Sequence, residues 1–487
     1  GLDMSSELLV NVTPQETRVA VIENGMLQEL YLEREATRGI LGNIYVGRVA
    51  RVMSGMQAAF IDVGIERTGF LHVKDLMVAR DADVLPPISE VLHQGEKIIV
   101  QVVKEPVGTK GARLSGQISL AARNLVYLPD QVVAGVSQRV EDQVEKERLR
   151  AILEKLTLEN VIGGGAIART VAEGASEAEL AMELEFLSKV WRKSLDMKAS
   201  SKPPLCIYED LPLCLRVLRD FVGDEVERIR IDSSEAFASA TKFSDDMVPE
   251  LSEKLELYAG ERPLFDMYSV EDEIERALHR KVPLKSGGYL IIDPTEAMTT
   301  IDVNTGAYLG KNNLDDTLYK TNLEAASAIA RQLRLRNIGG IVIVDFIDMV
   351  NEEHKRQVMR ALERSLARDR VKTYITDMSP LGLVEVTRKR TRDSLSHAMS
   401  EDCPVCSGRG RVKSAQTVCY QIFREIVRDF KQYQANKYMI LASRDVIEYL
   451  LDEEASALAD IQDFIERPLR LQVDTDYQRE QYEIVLS

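Results

Sequence analysis

The chain has 487 residues, 62 Lys and Arg against 78 Asp and Glu, and a formal net charge of −16. At about 150 residues per domain that length predicts three or more domains, and the composition is that of a folded protein, not a disordered or membrane-spanning one. No secretory signal pattern opens the chain, and five cysteines are too few for a disulfide framework, so a reducing cytoplasm is expected. Taken whole, −16 argues against a nucleic-acid binder, because acidic surface repels phosphate. The charge is regional, however. Residues 222–275 hold 16 acids and 5 bases and residues 445–487 hold 12 acids and 3 bases, whereas residues 355–392 carry 11 bases and 4 acids. That basic stretch either meets phosphate or is a solvated helix face.

From the N-terminus, Glu7 to Val12, Thr17 to Ile22 and Gln28 to Leu32 read as three strands joined by Thr13-Pro14 and Asn24-Gly25 turns. No covering layer follows this meander immediately. Residues 40–120 instead hold short, glycine-punctuated strands at regular spacing, which predict a small barrel. The strand order resembles the OB-fold barrel of ribosomal-protein type, and that resemblance implies that Phe60 and Phe70, on two of these strands, stack RNA bases, with Lys110 in a later loop as a phosphate partner. The plainer alternative is that both rings are core.

Residues 121–213 mix polar helices with glycine turns. Gly163-Gly164-Gly165 leads into Arg169-Thr170, a guanidinium and a hydroxyl suited to a terminal phosphate, or merely a surface pair. Residues 177–197 predict a helix with Leu180, Leu184, Leu187, Val190 and Trp191 on one face. Cys206 and Cys214 lack metal-ligand spacing and read as small hydrophobes.

Residues 279–400 hold the chemistry. Gly288 to Asp293 and Met298 to Val303 predict a hairpin. A helix follows, with Asp315 as N-cap and Gly339-Gly340 as its stop, and then a buried-type strand from Ile341 to Asp348. A strand–helix–strand unit returns its second strand near its first, which sets Asp302 beside Asp345. Such carboxylates repel, raise each other's pKa or bind a hard cation, and magnesium with one or two carboxylates and several waters is the simplest resolution. Asn304, two residues past Asp302, shares its face and can hold a water or a phosphate oxygen. N-caps, turn carboxylates or ion pairs with Arg331, Arg334 and Arg336 are the alternatives. Arg388, Lys389, Arg390 and Arg392 add a cationic surface, and a hard metal beside cations is what phosphodiester hydrolysis requires. Cys403-Pro404-Val405-Cys406 is a zinc-knuckle pattern. A structural zinc needs four ligands, so one pair from each of two chains is expected, a shared zinc at a twofold interface. A redox pair is the runner-up, but no strand–CxxC–helix context surrounds it. From residue 416 the tail reads as helix-rich and acidic.

Thr300 to Gly306 (TIDVNTG), Gly339 to Met349 (GGIVIVDFIDM), Gly382 to Arg392 (GLVEVTRKRTR) and the cysteine pair together resemble the ribonuclease E/G family over essentially the whole chain. The resemblance implies a multidomain α/β and α+β protein. An RNase H-like domain (4–38 and 214–278) would be interrupted by an OB-fold barrel (39–120) and a 5′-sensor region (121–213). A DNase I-like catalytic domain (279–400), a zinc link (401–415) and a small C-terminal domain (416–487) would follow. It also implies a cytoplasmic, magnesium-dependent endoribonuclease of single-stranded RNA, acting in 16S rRNA 5′-end maturation and mRNA decay. Carried over by motif, Asp302 and Asp345 become magnesium ligands, Asn304 a supporting catalytic residue, and Phe60, Phe70 and Lys110 RNA contacts. Arg169, Thr170, Val126 and Arg139 form the 5′-phosphate pocket, with Lys372 where the family pattern has arginine. Cys403 and Cys406 would join two chains through zinc as a homodimer, or two such dimers as a tetramer. A non-hydrolytic RNA-binding scaffold and a DNA nuclease are the competing functions.

Overall fold

The computed structural model describes residues 6–486, apart from 77–84, 107–109, 161–162, 201, 222–225, 307–313 and 434. It divides into two compact units, 1–395 and 396–487. In the first, strands Ser6–Val12, Glu16–Glu23 and Met26–Arg34 form the predicted antiparallel meander. Asn24 and Gly25 both take positive φ (52° and 75°), as a two-residue turn matched to strand twist requires. The layer that the local sequence lacked arrives from some 200 residues downstream. Val226–Ile231 pairs in parallel with Ser6–Val12, Leu255–Leu257 adds outside it, and Leu8, Val10, Val19 and Val21 share a core with Val217, Leu218 and Phe243.

The intervening chain builds the barrel. Strands Ile44–Met53, Ala58–Asp62, Gly69–His72, Arg113–Ser115 and Lys97–Lys104 neighbour one another in that order, and the last pairs back onto the first. Gly47 lies where two strands press close: a Cβ there would sit 2.5 Å from the Ile61 side chain. A four-stranded sheet follows, ordered Ala134–Val136, Gly165–Ala168, Leu125–Leu128, Leu120–Ala121. Helix Glu177–Ser200 packs beside it, with Leu180, Leu184, Leu187 and Trp191 buried and Val190 half-buried.

A six-stranded sheet is ordered Lys281–Pro283, Tyr289–Pro294, Met298–Asn304, Gly340–Asp345, Leu383–Arg388, Thr373–Ile375. Helices Leu314–Leu335 and Glu352–Leu366 cover one face through Ala325, Ile329, Leu333, Val358 and Leu362. The other face is open, which corrects the expectation of a strand buried on both sides at Ile341: that residue is 45% exposed while Val342 and Val344 are buried. Asp315 lies inside the first turn of the long helix rather than at its N-cap. The helix stop also moves. Asn337 takes the left-handed conformation (φ 47°), with bonds from Asn337 N–H to Arg334 O (3.1 Å) and Ile338 N–H to Leu333 O (3.0 Å), so an asparagine does what was expected of Gly339.

In the second unit Tyr438–Ala442 lies between parallel Leu469–Val473 and antiparallel Tyr482–Leu486, packed by helices Ala415–Gln432, Arg444–Asp452 and Ala455–Ile465. The tail is therefore sheet as well as helix. Cys419 and Cys214 are buried and Cys206 is half-buried. Among the described residues no helix is long and apolar enough to cross a membrane.

Candidate active site and nucleic-acid interface

Strands Met298–Asn304 and Gly340–Asp345 run parallel, and their register sets Asp302 directly opposite Asp345. Both are exposed on the open face. Asn304 Nδ2 donates to Asp302 Oδ2 at 3.0 Å. Burial, and then the negative charges of Asp302 and Asp348, hold the Asp345 carboxyl above its usual range. The three arginines weighed as partners are committed elsewhere: Arg331 pairs with Glu273 (2.6 Å), Arg334 with Glu23 and Glu29 (2.7 and 2.6 Å), and Arg336 donates to Gln332. Nor is either carboxylate an N-cap, since Asp302 is within a strand and Asn351 caps the helix after Asp345. Two opposed carboxylates, in no ion pair among the described residues and with an amide beside them, fit magnesium, which keeps most of its waters. Among the described residues no group of three or more His, Cys, Asp or Glu is assembled to hold an ion.

The long helix Leu314–Leu335 holds both strand ends. Asn322, fully buried, donates from Nδ2 to Ile347 O (2.7 Å) and accepts Ile347 N–H (3.1 Å), two residues beyond Asp345. Glu324 accepts the N–H groups of Lys285 and Ser286, in the loop that leads to Gly288. A Cβ on Gly288 would lie 2.7 Å from Asn304 O, so glycine lets that loop pack directly against the strand end. Neither residue was foreseen. The available signal was helical spacing, which puts Asn322 on the same face as Ala325, Ala326 and Ile329.

The basic cluster needs correction. Arg388 is buried, paired with Asp369 at 2.7 Å and bonded to Asn337 Oδ1 and Ile338 O. Arg392 donates to Leu30 O (2.6 Å) and its guanidinium lies 3.9 Å from the Tyr31 ring centroid. Arg388 also opposes Gly340, while Asp345 opposes Leu383 at the other end of the strand pair. These two arginines hold structure at the end away from the carboxylates; Lys389 and Arg390 are exposed.

On the barrel, Phe60 opposes Phe70, with ring centroids 5.9 Å apart at 70°. Both rings are half-exposed and outside the barrel core, which is built from Ala59, Ile61, Leu71 and Leu114. Register extends their row to Arg51 on one side and to Arg113 and Lys104 on the other. The row thus reads Arg51, Phe60, Phe70, Arg113, Lys104, two rings flanked by three cations that sequence reading missed. Arg113 pairs with Asp75 at 3.1 Å. Lys110 is exposed at the start of the chain leading into Arg113–Ser115.

At the end of Gly165–Ala168, Arg169 Nη1 donates to Ala122 O (2.6 Å), Arg123 O (3.2 Å) and Asp220 Oδ1 (3.0 Å). Thr170 and Ser137 hydroxyls lie 3.3 Å apart, and Ser137 Oγ accepts Arg139 N–H. Val126 opposes Ile167, two residues before Arg169. Beneath, Asn124 O accepts Arg169 N–H (2.7 Å), while Asn124 N–H, Asn124 Nδ2 and Leu125 N–H donate to the buried Glu183. Four of the five 5′-pocket candidates thus lie in, or one to three residues beyond, strands of one sheet. Lys372 lies beside the edge strand of the six-stranded sheet, its Nζ 4.8 Å from the Tyr374 ring centroid.

Cys403 and Cys406 bracket a tight turn closed by Ser407 N–H to Cys403 O (2.7 Å), with Ser407 and Gly408 at positive φ. Backbone N–H groups of Cys406 and Val405 hold the Cys403 thiol below its usual range, favouring thiolate. Arg409 and Lys413 N–H bond Glu480, tying the turn to the small sheet domain. With no third ligand gathered among the described residues, half a tetrahedral site fits these donors.

The six-stranded sheet thus carries an opposed carboxylate pair on its open face, and the barrel in the same unit carries a row of rings and cations. A sequence profile of the Ribonuclease E/G family matches residues 119–391, and one described as RNase E/G, Thioredoxin-like domain matches residues 402–486. The chain is 52% identical to Ribonuclease G of Salmonella typhimurium (strain SL1344) over 491 residues, 99% of this chain and 100% of that protein. It is 51% identical to Ribonuclease G of Escherichia coli (strain K12) with the same coverage. Against Ribonuclease E of the same strain identity is 36% over 462 residues, 93% of this chain but 43% of that protein. This chain belongs to the ribonuclease E/G family. The thioredoxin-like match includes the cysteine pair. Even so, the pair does not sit at a strand–helix junction: no strand directly precedes the turn, and the next helix begins only at Ala415.

Proposed function

We propose that this chain is a cytoplasmic, magnesium-dependent endoribonuclease that cuts single-stranded RNA and favours 5′-monophosphorylated substrates. The opposition of Asp302 and Asp345 on neighbouring parallel strands carries the reading. Asp302 and Asp345 would hold magnesium, whose chemistry there would be Lewis-acid stabilisation of charge on the phosphate. The chain's own residues do the rest. Asn304, held to Asp302, positions a water or a phosphate oxygen, while the Phe60–Phe70 row stacks bases and Lys110 and its neighbours hold phosphates. In-line attack of water on phosphorus breaks the P–O3′ bond and leaves a 3′-hydroxyl and a 5′-phosphate. Arg169, Thr170, Val126, Arg139 and Lys372 receive the substrate's 5′-phosphate. Ribosomal RNA 5′-end maturation and mRNA decay follow as roles. Residues 4–38 and 214–278 read as one RNase H-like domain and residues 279–400 as a DNase I-like one, supported by the shared first sheet and the helix-covered six-stranded sheet.

The barrel row is independent of the carboxylates, which keeps a non-hydrolytic RNA-binding scaffold as the second reading. Asp302→Asn and Asp345→Asn are expected to bind a 5′-monophosphorylated oligoribonucleotide like the parent yet cut it at least ~100-fold more slowly in magnesium. A parent that leaves the RNA intact would establish the scaffold, and equal rates on matched DNA would remove the RNA claim.

A further inference from the structure

The open face of the six-stranded sheet carries a pair that the cleavage reading leaves unused. Lys281, Ile291, Asp302, Asp345 and Leu383 are successive register partners across five strands. Directly opposed residues share a face, so Lys281 stands on the carboxylates' side, two strands from Asp302, or about 10 Å at ordinary strand spacing. Tyr289 occupies the next outward position on its strand, opposite Asn304. Lys281 Nζ lies 4.1 Å from the Tyr289 ring centroid; the lysine is exposed and the ring half-exposed. Its neighbour Arg280 is committed to Asp293 through two hydrogen bonds, whereas the Lys281 ammonium rests on a ring.

A ring and a cation that share the face and the cross-strand row of the reacting centre are what a single-stranded polynucleotide needs beside its scissile bond. Bases stack on aromatic faces whatever their identity, and cations follow the backbone. We propose that Tyr289 and Lys281 form a substrate subsite for the nucleotide flanking the scissile phosphate, its base against the Tyr289 ring and its phosphate at the Lys281 ammonium. The inference rests on Asp302 and Asp345 being the cleavage centre, and it adds a contact set separate from the barrel row. Because stacking does not read base edges, the subsite contributes affinity without fixing sequence.

The test measures affinity and cleavage separately. In an Asp345→Asn background, a fluorescent single-stranded oligoribonucleotide reports binding. Tyr289→Ala is expected to weaken it roughly 5- to 100-fold, and Tyr289→Phe, which keeps the ring, to restore it. Lys281→Ala should reduce the slope of log affinity against log salt by about 0.7, one phosphate contact on a single strand. In the active protein both alanine variants should raise KM and leave kcat at saturating RNA near the parent value. Unchanged affinity and salt slope would overturn the subsite even if the parent cuts RNA; a parent that binds but does not cut would instead sink the cleavage reading, and the subsite's adjacency to a reaction with it. If Tyr289→Ala lowers the thermal midpoint, the Lys281→Ala salt slope decides alone, and an unchanged slope overturns the proposal.

Discussion

Glu183 shows what burial does to one residue. It lies under the Arg169 strand, only 2% exposed, and burial pushes its carboxyl up to about 7 even though Asn124 and Leu125 donate to it. Between the ordinary carboxylate range and about 7, the folded chain keeps a proton that the unfolded chain has lost. Stability should therefore fall as pH rises through that window, by up to about 3 kcal/mol, and the loss should be complete above it. Glu183→Gln keeps the acceptor oxygen and removes the titration. Urea midpoints at pH 5 and pH 7.5 should then differ more for the parent than for the variant; equal differences would show that Glu183 does not titrate there. Side chains also show where sequence reading ran out. Whether Phe60 was core or surface could not be decided from a chain that alternates on a closed barrel, and the barrel core of Ala59, Ile61 and Leu71 settles its direction. Arg388 looked like a phosphate ligand because its partner, Asp369, becomes its neighbour only through tertiary pairing.

At the level of elements, the strand–helix–strand unit was the legible part. Its parallel crossover followed from chain order and handedness rules, and with it the opposition of Asp302 and Asp345. What the pattern did not reveal is that the connecting helix is the holder of the site. A mid-helix asparagine reads as a solvated residue until the helix is placed on its sheet, and Asn322 then becomes a two-point backbone clamp. Asn322→Leu should cost about 1–3 kcal/mol by leaving the Ile347 N–H and C=O unpaired. It should lower kcat more than it weakens RNA binding, because Asp345 is two residues from the released backbone. Denaturant unfolding together with a kcat and KM determination checks both, and a variant with lost stability but parental kcat would reduce Asn322 to a fold residue. The helix end was misread for a local reason: Asn337 tolerates the left-handed conformation that a glycine was expected to supply.

Across the whole molecule, the acidic surplus is spent on internal pairing as well as on solvent. Within residues 222–275, Glu256 meets Arg230, Glu271 meets Arg18 and Glu273 meets Arg331. The −16 is thus compatible with a row of rings and cations on the barrel, which no sum over the sequence could display. For assembly, the half-site at Cys403 and Cys406 predicts one zinc per two chains. Cys403→Ser should release the zinc and halve the mass of the assembly in sedimentation, with the carboxylate site intact in each chain. One zinc per chain would instead require a ligand set within the chain.

The buried pairing of Arg334 with Glu23 and Glu29 has a consequence in time. The two glutamates leave the ribosome early, in the meander, and the arginine that neutralises them lies 305 positions after Glu29. At about 5–20 residues per second, translation keeps those carboxylates waiting for roughly 15–60 s. For about the first two-thirds of that interval the meander lacks its later parallel strand, Val226–Ile231, as well, so the N-terminal strands present acid and unpaired edge to solvent while the barrel, built from one continuous stretch, can already close. Synthesis order therefore favours a nascent chain whose barrel, with its row of rings and cations, exists before the carboxylate pair does.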